Sequence, residues 1–128
     1  MKKVVSIVPM LLLACTLSFA QDAKGLSFYG HYVTAQSMIK SAMKYSDPEK
    51  IALFLNEANR ATMNAKAMFN TVKKKLTTKE ANDMDLALDF LLNWSNKEYF
   101  EDQDVMKAVL WFNLNDTKQQ KTIAKLLK

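Results

Sequence analysis

The chain has 128 residues, 49% of them hydrophobic, with one cysteine, one histidine and a formal net charge of +5. That length supports one helical core and excludes two domains of ordinary size. The charge is too small for a nucleic-acid footprint, and no DNA-binding motif or alternation of basic and aromatic residues accompanies it.

Lys2 and Lys3 form a positive start, and Val4 to Ala20 carries no charge. This is the pattern of a secretory signal peptide, too short and too soon interrupted by Pro9 for a comfortable transmembrane helix. Ser18 and Ala20 supply the small-x-small pattern that a signal peptidase needs, with polar Gln21 and Asp22 just beyond. Cleavage is therefore expected after Ala20, leaving 1–20 as signal peptide and 21–128 as a single helical domain, periplasmic or secreted. A competing cut uses Leu12-Leu13-Ala14-Cys15, an imperfect match to a bacterial lipobox. In that alternative the Cys15 thiol takes a diacylglycerol group and the product is a membrane-anchored lipoprotein. The tether would then begin with the apolar "TLSFA", and Cys15 fits better as a small hydrophobe within the signal.

Loss of Lys2 and Lys3 leaves sixteen basic against thirteen acidic residues, a net charge of +3. No cysteine follows Ala20. An exported domain of this kind must fold on packing, without disulfide staples.

Gly25, Gly30 and Pro48 are the only glycines and proline after residue 20, in a stretch rich in Ala, Leu, Met and Lys. The expected class is all-α, a small antiparallel helical bundle of three main helices plus one or two short C-terminal helices. The first helix is expected from about Lys24 to Tyr45, with Phe28, Tyr32, Ala35, Ile39 and Ala42 stacked on one face by three- and four-residue steps. "SDPEK" then ends one helix and starts another, since Asp47 suits an N-cap, Pro48 the first helical position and Glu49 the positive end of the dipole. The second helix is expected over Pro48 to Leu76, with a stripe of Ile51, Leu55, Ala58, Thr62, Ala65, Phe69, Val72 and Leu76. Small residues in mid-stripe permit close approach of a partner helix.

Thr77 and Glu80 are spaced as a capping box, so a third helix is expected from Thr78, with Ala81, Met84, Leu88, Leu91 and Trp94 facing inward. "SNKEYFEDQD" reads as a connection. A short helix follows over Val105 to Leu114, although its apolar run is also compatible with a buried strand. "NDTKQQ" is expected to cap a separate last helix carrying Ile123, Leu126 and Leu127.

The chemistry-bearing residues form no recognisable site. His31 lacks a nucleophile motif beside it, and a histidine flanked by Phe28 and Ala35 is commonly structural. Met38 and Met43, like Met63 and Met68, are five residues apart, a turn of about 140° on a helix that keeps each pair from converging on a soft metal ion. No C-x-x-C-H sequence attaches haem and no EF-hand spacing is present. Asp85 and Asp89, and the group Glu98, Glu101, Asp102 and Asp104, are not paired by any spacing that creates an acid and a base. Lys73 to Lys75 at one helix end and the acids at a helix start both complement the helix dipole.

One segment exceeds what a simple core requires. In "VMKAVLWFNL" Val105, Ala108, Val109 and Phe112 form an inward face, while Met106, Leu110, Trp111 and Leu114 cover much of the opposite side. These four residues are either covered by the last helix or bind a partner. The reading that results is an exported, non-enzymatic helical protein that acts by protein–protein binding, as an inhibitor, immunity factor, adaptor or chaperone does. Its expected partner is another exported or envelope protein. It implies no cofactor, no catalytic residue, no nucleic acid and no transmembrane segment in the mature chain. The alternative is a carrier of a small ligand or metal ion between the helices, lined by His31 and buried methionines.

Overall fold

A computed structural model describes residues 23–128 of the chain. The expected signal cleavage site and Cys15 lie outside the described residues. Among those residues the fold is all-helical: α1 (Ala23–Ala42), α2 (Pro48–Val72), α3 (Thr78–Trp94), α4 (Lys97–Asp102) and α5 (Val105–Leu126), with a 3-10 turn at Lys73–Lys75. No helix among them is long and apolar enough to cross a membrane.

Local chemistry sets most of the boundaries. α1 ends in a tightened turn in which the Lys44 and Tyr45 amides donate to Ser41 and Ala42. α2 begins where Pro48 needs no amide bond, and the Asp47 side chain accepts from the Glu49 amide at 3.0 Å. α3 opens with both bonds of a capping box, Glu80 amide to Thr77 hydroxyl at 3.1 Å and Thr77 amide to Glu80 carboxylate at 3.0 Å. Asn96 and Asp104 cap α4 and α5 through the amides of Tyr99 and Met106.

Two segments differ from their sequence-based reading. The connection between α3 and α5 contains α4, because Asn96 supplies a cap and Phe100 buries itself against Trp94, 6.0 Å away edge to face. "NDTKQQ" caps nothing, and α5 runs without interruption from Val105 to Leu126. Two side-chain contacts account for that. Asn115 donates at 2.9 Å to the Trp111 carbonyl one turn back, and Asp116 accepts from Gln36 and Lys40 of α1. An Asp engaged by another helix does not compete for its own backbone amides, so its capping tendency is not expressed. The last segment therefore cannot fold back over Val105–Leu114.

The expected stripes are the core. Phe28, Tyr32, Ala35, Ile39 and Ala42 of α1 are all buried, as are Leu55, Ala58, Thr62, Ala65, Phe69 and Val72 of α2, while Ile51 and Leu76 sit half-buried at its margin. α1 makes its broadest contact with α2. Ala58, Ala61, Thr62 and Ala65 of α2 are buried, which is the consequence of small side chains in a close helix–helix seam. The Thr62 hydroxyl donates at 2.7 Å to the Ala58 carbonyl, so no polar atom is stranded there. Tyr45 stacks on Phe54 and Phe28 packs on Phe69, contacts that run in opposite chain directions along the two helices.

α3 lies against α2 through Lys66–Asp89 at 2.8 Å and Asn59–Ser95 at 3.2 Å, again in opposite directions. α5 then spans both α3 and α1. Its pairs Glu80–Lys125, Asp83–Lys118 and Phe90–Trp111 follow α3. Its contacts Gly25–Leu126, Gln36–Asp116 and Lys40–Phe112 follow α1.

Candidate functional site

Two surfaces stand out, one on each flank of α5. The first is at the seam with α3. Trp111 stacks on Phe90, ring centroids 3.8 Å apart and planes 9° apart. Phe90 also meets Phe112 edge-on, and Trp94 links Phe90 to Tyr99 and Phe100. Trp111 is thus half-buried as the outer member of an aromatic cluster that joins α3, α4 and α5. Its three companions on the expected outer face stay in solvent: Met106 is 56% exposed, Leu110 57% and Leu114 76%.

A fourth large side chain belongs with them. Leu86 of α3, 66% exposed, lies between Asp83 and Phe90, as Leu114 lies between Trp111 and Lys118. The two cross-helix contacts bracket both leucines, placing them at one level on the solvent side of the seam. Sequence reading missed Leu86 because an isolated leucine on a polar face has no signal until the register of α3 against α5 is known.

The second surface is a groove of about 490 Å³ between α1 and α5. Tyr29, Tyr32, Val33 and Gln36 come from α1, and Asp116, Gln119, Gln120, Ile123 and Ala124 from α5, with Leu127 just beyond its end. It is closed at one end by the contact of Gly25 with the Leu126 backbone, where an added Cβ would lie 2.7 Å from the carbonyl carbon. At the other end Asp116 takes Gln36 Nε2 at 3.3 Å and Lys40 Nζ at 3.1 Å. Beyond that bridge a second depression of about 600 Å³ continues along the same pair of helices, lined by Met43, Val105, Met106 and Val109 among others.

Tyr32 and Gln119 are 1% and 3% exposed, and the Tyr32 hydroxyl and Gln119 Oε1 have no hydrogen-bond partner. Burial, with the Asp116 carboxylate adding to it, pushes the Tyr32 phenol far above the ordinary tyrosine range. It remains a neutral O–H donor at any physiological pH. These residues were hidden by composition: Asp116 and Gln119 belong to a run that reads as a helix start. Once α5 is continuous, Phe112, Asp116, Gln119, Ile123 and Leu126 follow in steps of four, three, four and three. That spacing puts two polar residues in a core-facing stripe.

The other candidates are dispersed. His31 is half-buried on α1 and lines neither groove. Met84 is in the core, Met38, Met43 and Met68 pack at its margin, and Met63 is exposed on α2. Among the described residues, no three His, Cys, Asp or Glu side chains are grouped to hold a metal ion. Several of the carboxylates serve in caps and ion pairs: Asp104 caps α5, Asp89 pairs with Lys66, and Glu101 pairs with Lys97. No family model, curated protein or solved structure matches the chain.

Proposed function

We propose that this chain is an exported antiparallel helical bundle, released after Ala20, that acts without catalysis by binding another exported or envelope protein. The binding face is the solvent side of α5, formed by Leu110 and Leu114 with Leu86 of α3 beside them and the edge of Trp111 behind, and continued toward α1 by Met106. The observation that carries this reading is their exposure: each of those four aliphatic or thioether side chains is more than half exposed. Apolar groups lined up along two turns of α5, with Leu86 of α3 beside Leu114, gain free energy when covered, about 25 cal/mol per Å² of area removed from water. The Phe90–Trp111 stack gives them a rigid base, so little side-chain order remains to be lost on binding.

A photo-crosslinking residue at Leu114 tests this in the cells that make the protein. A discrete adduct is expected there and not from the same group at exposed Asn70 of α2. Leu110→Ser should diminish the Leu114 adduct while changing stability by less than about 0.5 kcal/mol. A protein that stays monomeric and gives no adduct at Leu114, or equal adducts at Asn70, would end the reading.

A further inference from the structure

The α1–α5 groove shares none of its lining residues with that apolar face. Its floor holds an unpaired donor and an unpaired acceptor, the Tyr32 hydroxyl and Gln119 Oε1, each on a side chain more than nine-tenths buried. A buried polar atom without a partner is costly, and two on side chains that line one groove are not explained by packing. Water outside cannot offset them, because both atoms are shut off from bulk solvent. Around them Val33, Ile123, Ala124 and Leu127 offer aliphatic wall, and Tyr29 stands at the rim, 39% exposed.

These features define an occupant. It must present a hydrogen-bond acceptor and donor close together, which a carboxamide does with its C=O and N–H. It must carry an aliphatic body for the walls. Tyr29 to Gln36 spans seven residues, about 10 Å of helix, which suits a molecule of capped-amino-acid size. Its charge is also limited: Asp116 bears on Tyr32 at the groove end and repels an anion, while its own carboxylate is already engaged by Lys40 and Gln36 and gives a cation no free partner. Access requires only a slight parting of α1 from α5, whose mutual contact is far smaller than that of α1 with α2.

We infer that the groove between α1 and α5 binds small uncharged carboxamides with an aliphatic side chain, the amide C=O accepting from Tyr32 and its N–H donating to Gln119. The probe is N-acetyl-leucine methylamide, titrated into the 15N-labelled protein and followed by NMR. Saturable shifts are expected at the Gln119 side-chain amide and the Ile123 backbone amide, with N-acetyl-leucine, the anion, binding several-fold more weakly. Tyr32→Phe and Gln119→Leu should each weaken the probe about five- to tenfold. Ligand-free Tyr32→Phe should melt at the same temperature as the parent or higher, since it deletes an unpaired hydroxyl. Three results each overturn the inference: no saturable shift at the probe's solubility limit, unchanged affinity in both variants, or a lower melting temperature for ligand-free Tyr32→Phe. The last would mean that the hydroxyl already has a structural partner, such as a fixed water.

Discussion

Gly25 and Gly30 lie five residues apart in α1, and replacing each by alanine should move stability in opposite directions. At Gly30 an added Cβ meets no atom within 4 Å. Gly30→Ala should therefore gain the propensity difference between glycine and alanine in a helix, up to about 1 kcal/mol. At Gly25 the same Cβ falls within the van der Waals envelope of the Leu126 carbonyl oxygen and 2.7 Å from its carbon. Both groups are backbone, so no rotamer change relieves the clash. Either α1 and α5 separate or the end of α5 bends. Overpacking of this kind costs about 1–3 kcal/mol, enough to cancel a propensity gain of about 1 kcal/mol and leave a net loss of up to about 2 kcal/mol. For a domain of this size that is a fall of up to about 8 °C in Tm, against a rise of up to about 4 °C for Gly30→Ala. Urea titrations with circular dichroism at 222 nm measure both, with an unchanged m-value to show that the unfolding transition is the same. If Gly25→Ala stabilises as much as Gly30→Ala, then α5 does not close on α1 at that point and the groove has no end wall.

The continuity of α5 and the charge network at the start of α3 give two more tests. Thr117 is exposed in α5. Thr117→Pro in a helix interior should cost about 3 kcal/mol or more, whereas a proline just after a true cap at Asp116 would be tolerated, so a small effect in urea titration would restore the broken helix. Glu80 is held below its ordinary value of 4.5 by the hydrogen bond from Lys125 and that from the Thr77 amide, and Asp83 below 3.8 chiefly by the bond from Lys79. A carboxylate with a depressed folded pKa binds fewer protons folded than unfolded, so its stabilisation is present above the unfolded pKa and is lost as pH falls through the folded one. The urea midpoint should therefore drop as pH is lowered from about 5 toward 3, with a shallower slope in Glu80→Gln; identical slopes would refute this assignment.

The local elements were legible because their signals are short-range. Asp47-Pro48-Glu49 and the Thr77–Glu80 box each satisfy backbone amides within three residues, so nothing distant alters their meaning. The apolar stripes of α1, α2 and α3 were legible for a related reason: a 3.6-residue period marks one face whatever that face later meets. The same reasoning failed at Asn115-Asp116-Thr117. Local propensity there favours a helix start, and the contrary terms come from Gln36 and Lys40, some eighty residues away in the chain.

Both candidate surfaces belong to that second category. Met106, Leu110 and Leu114 were visible as an apolar excess, but Leu86 joins them and Trp111 leaves them only through the register of α3 on α5. The Tyr32–Gln119 floor depends on how closely α1 and α5 approach, which the Gly25 contact sets at one end and the Asp116 bridge at the other. By itself the sequence determined the helical class, the caps of α2 and α3 and which face of α1, α2 and α3 turns inward, since capping bonds and apolar periodicity act within a turn or two of one helix. Tertiary structure decided that α5 is continuous, which apolar groups remain uncovered and which polar atoms are left without partners, because these outcomes depend on side chains brought together from different helices.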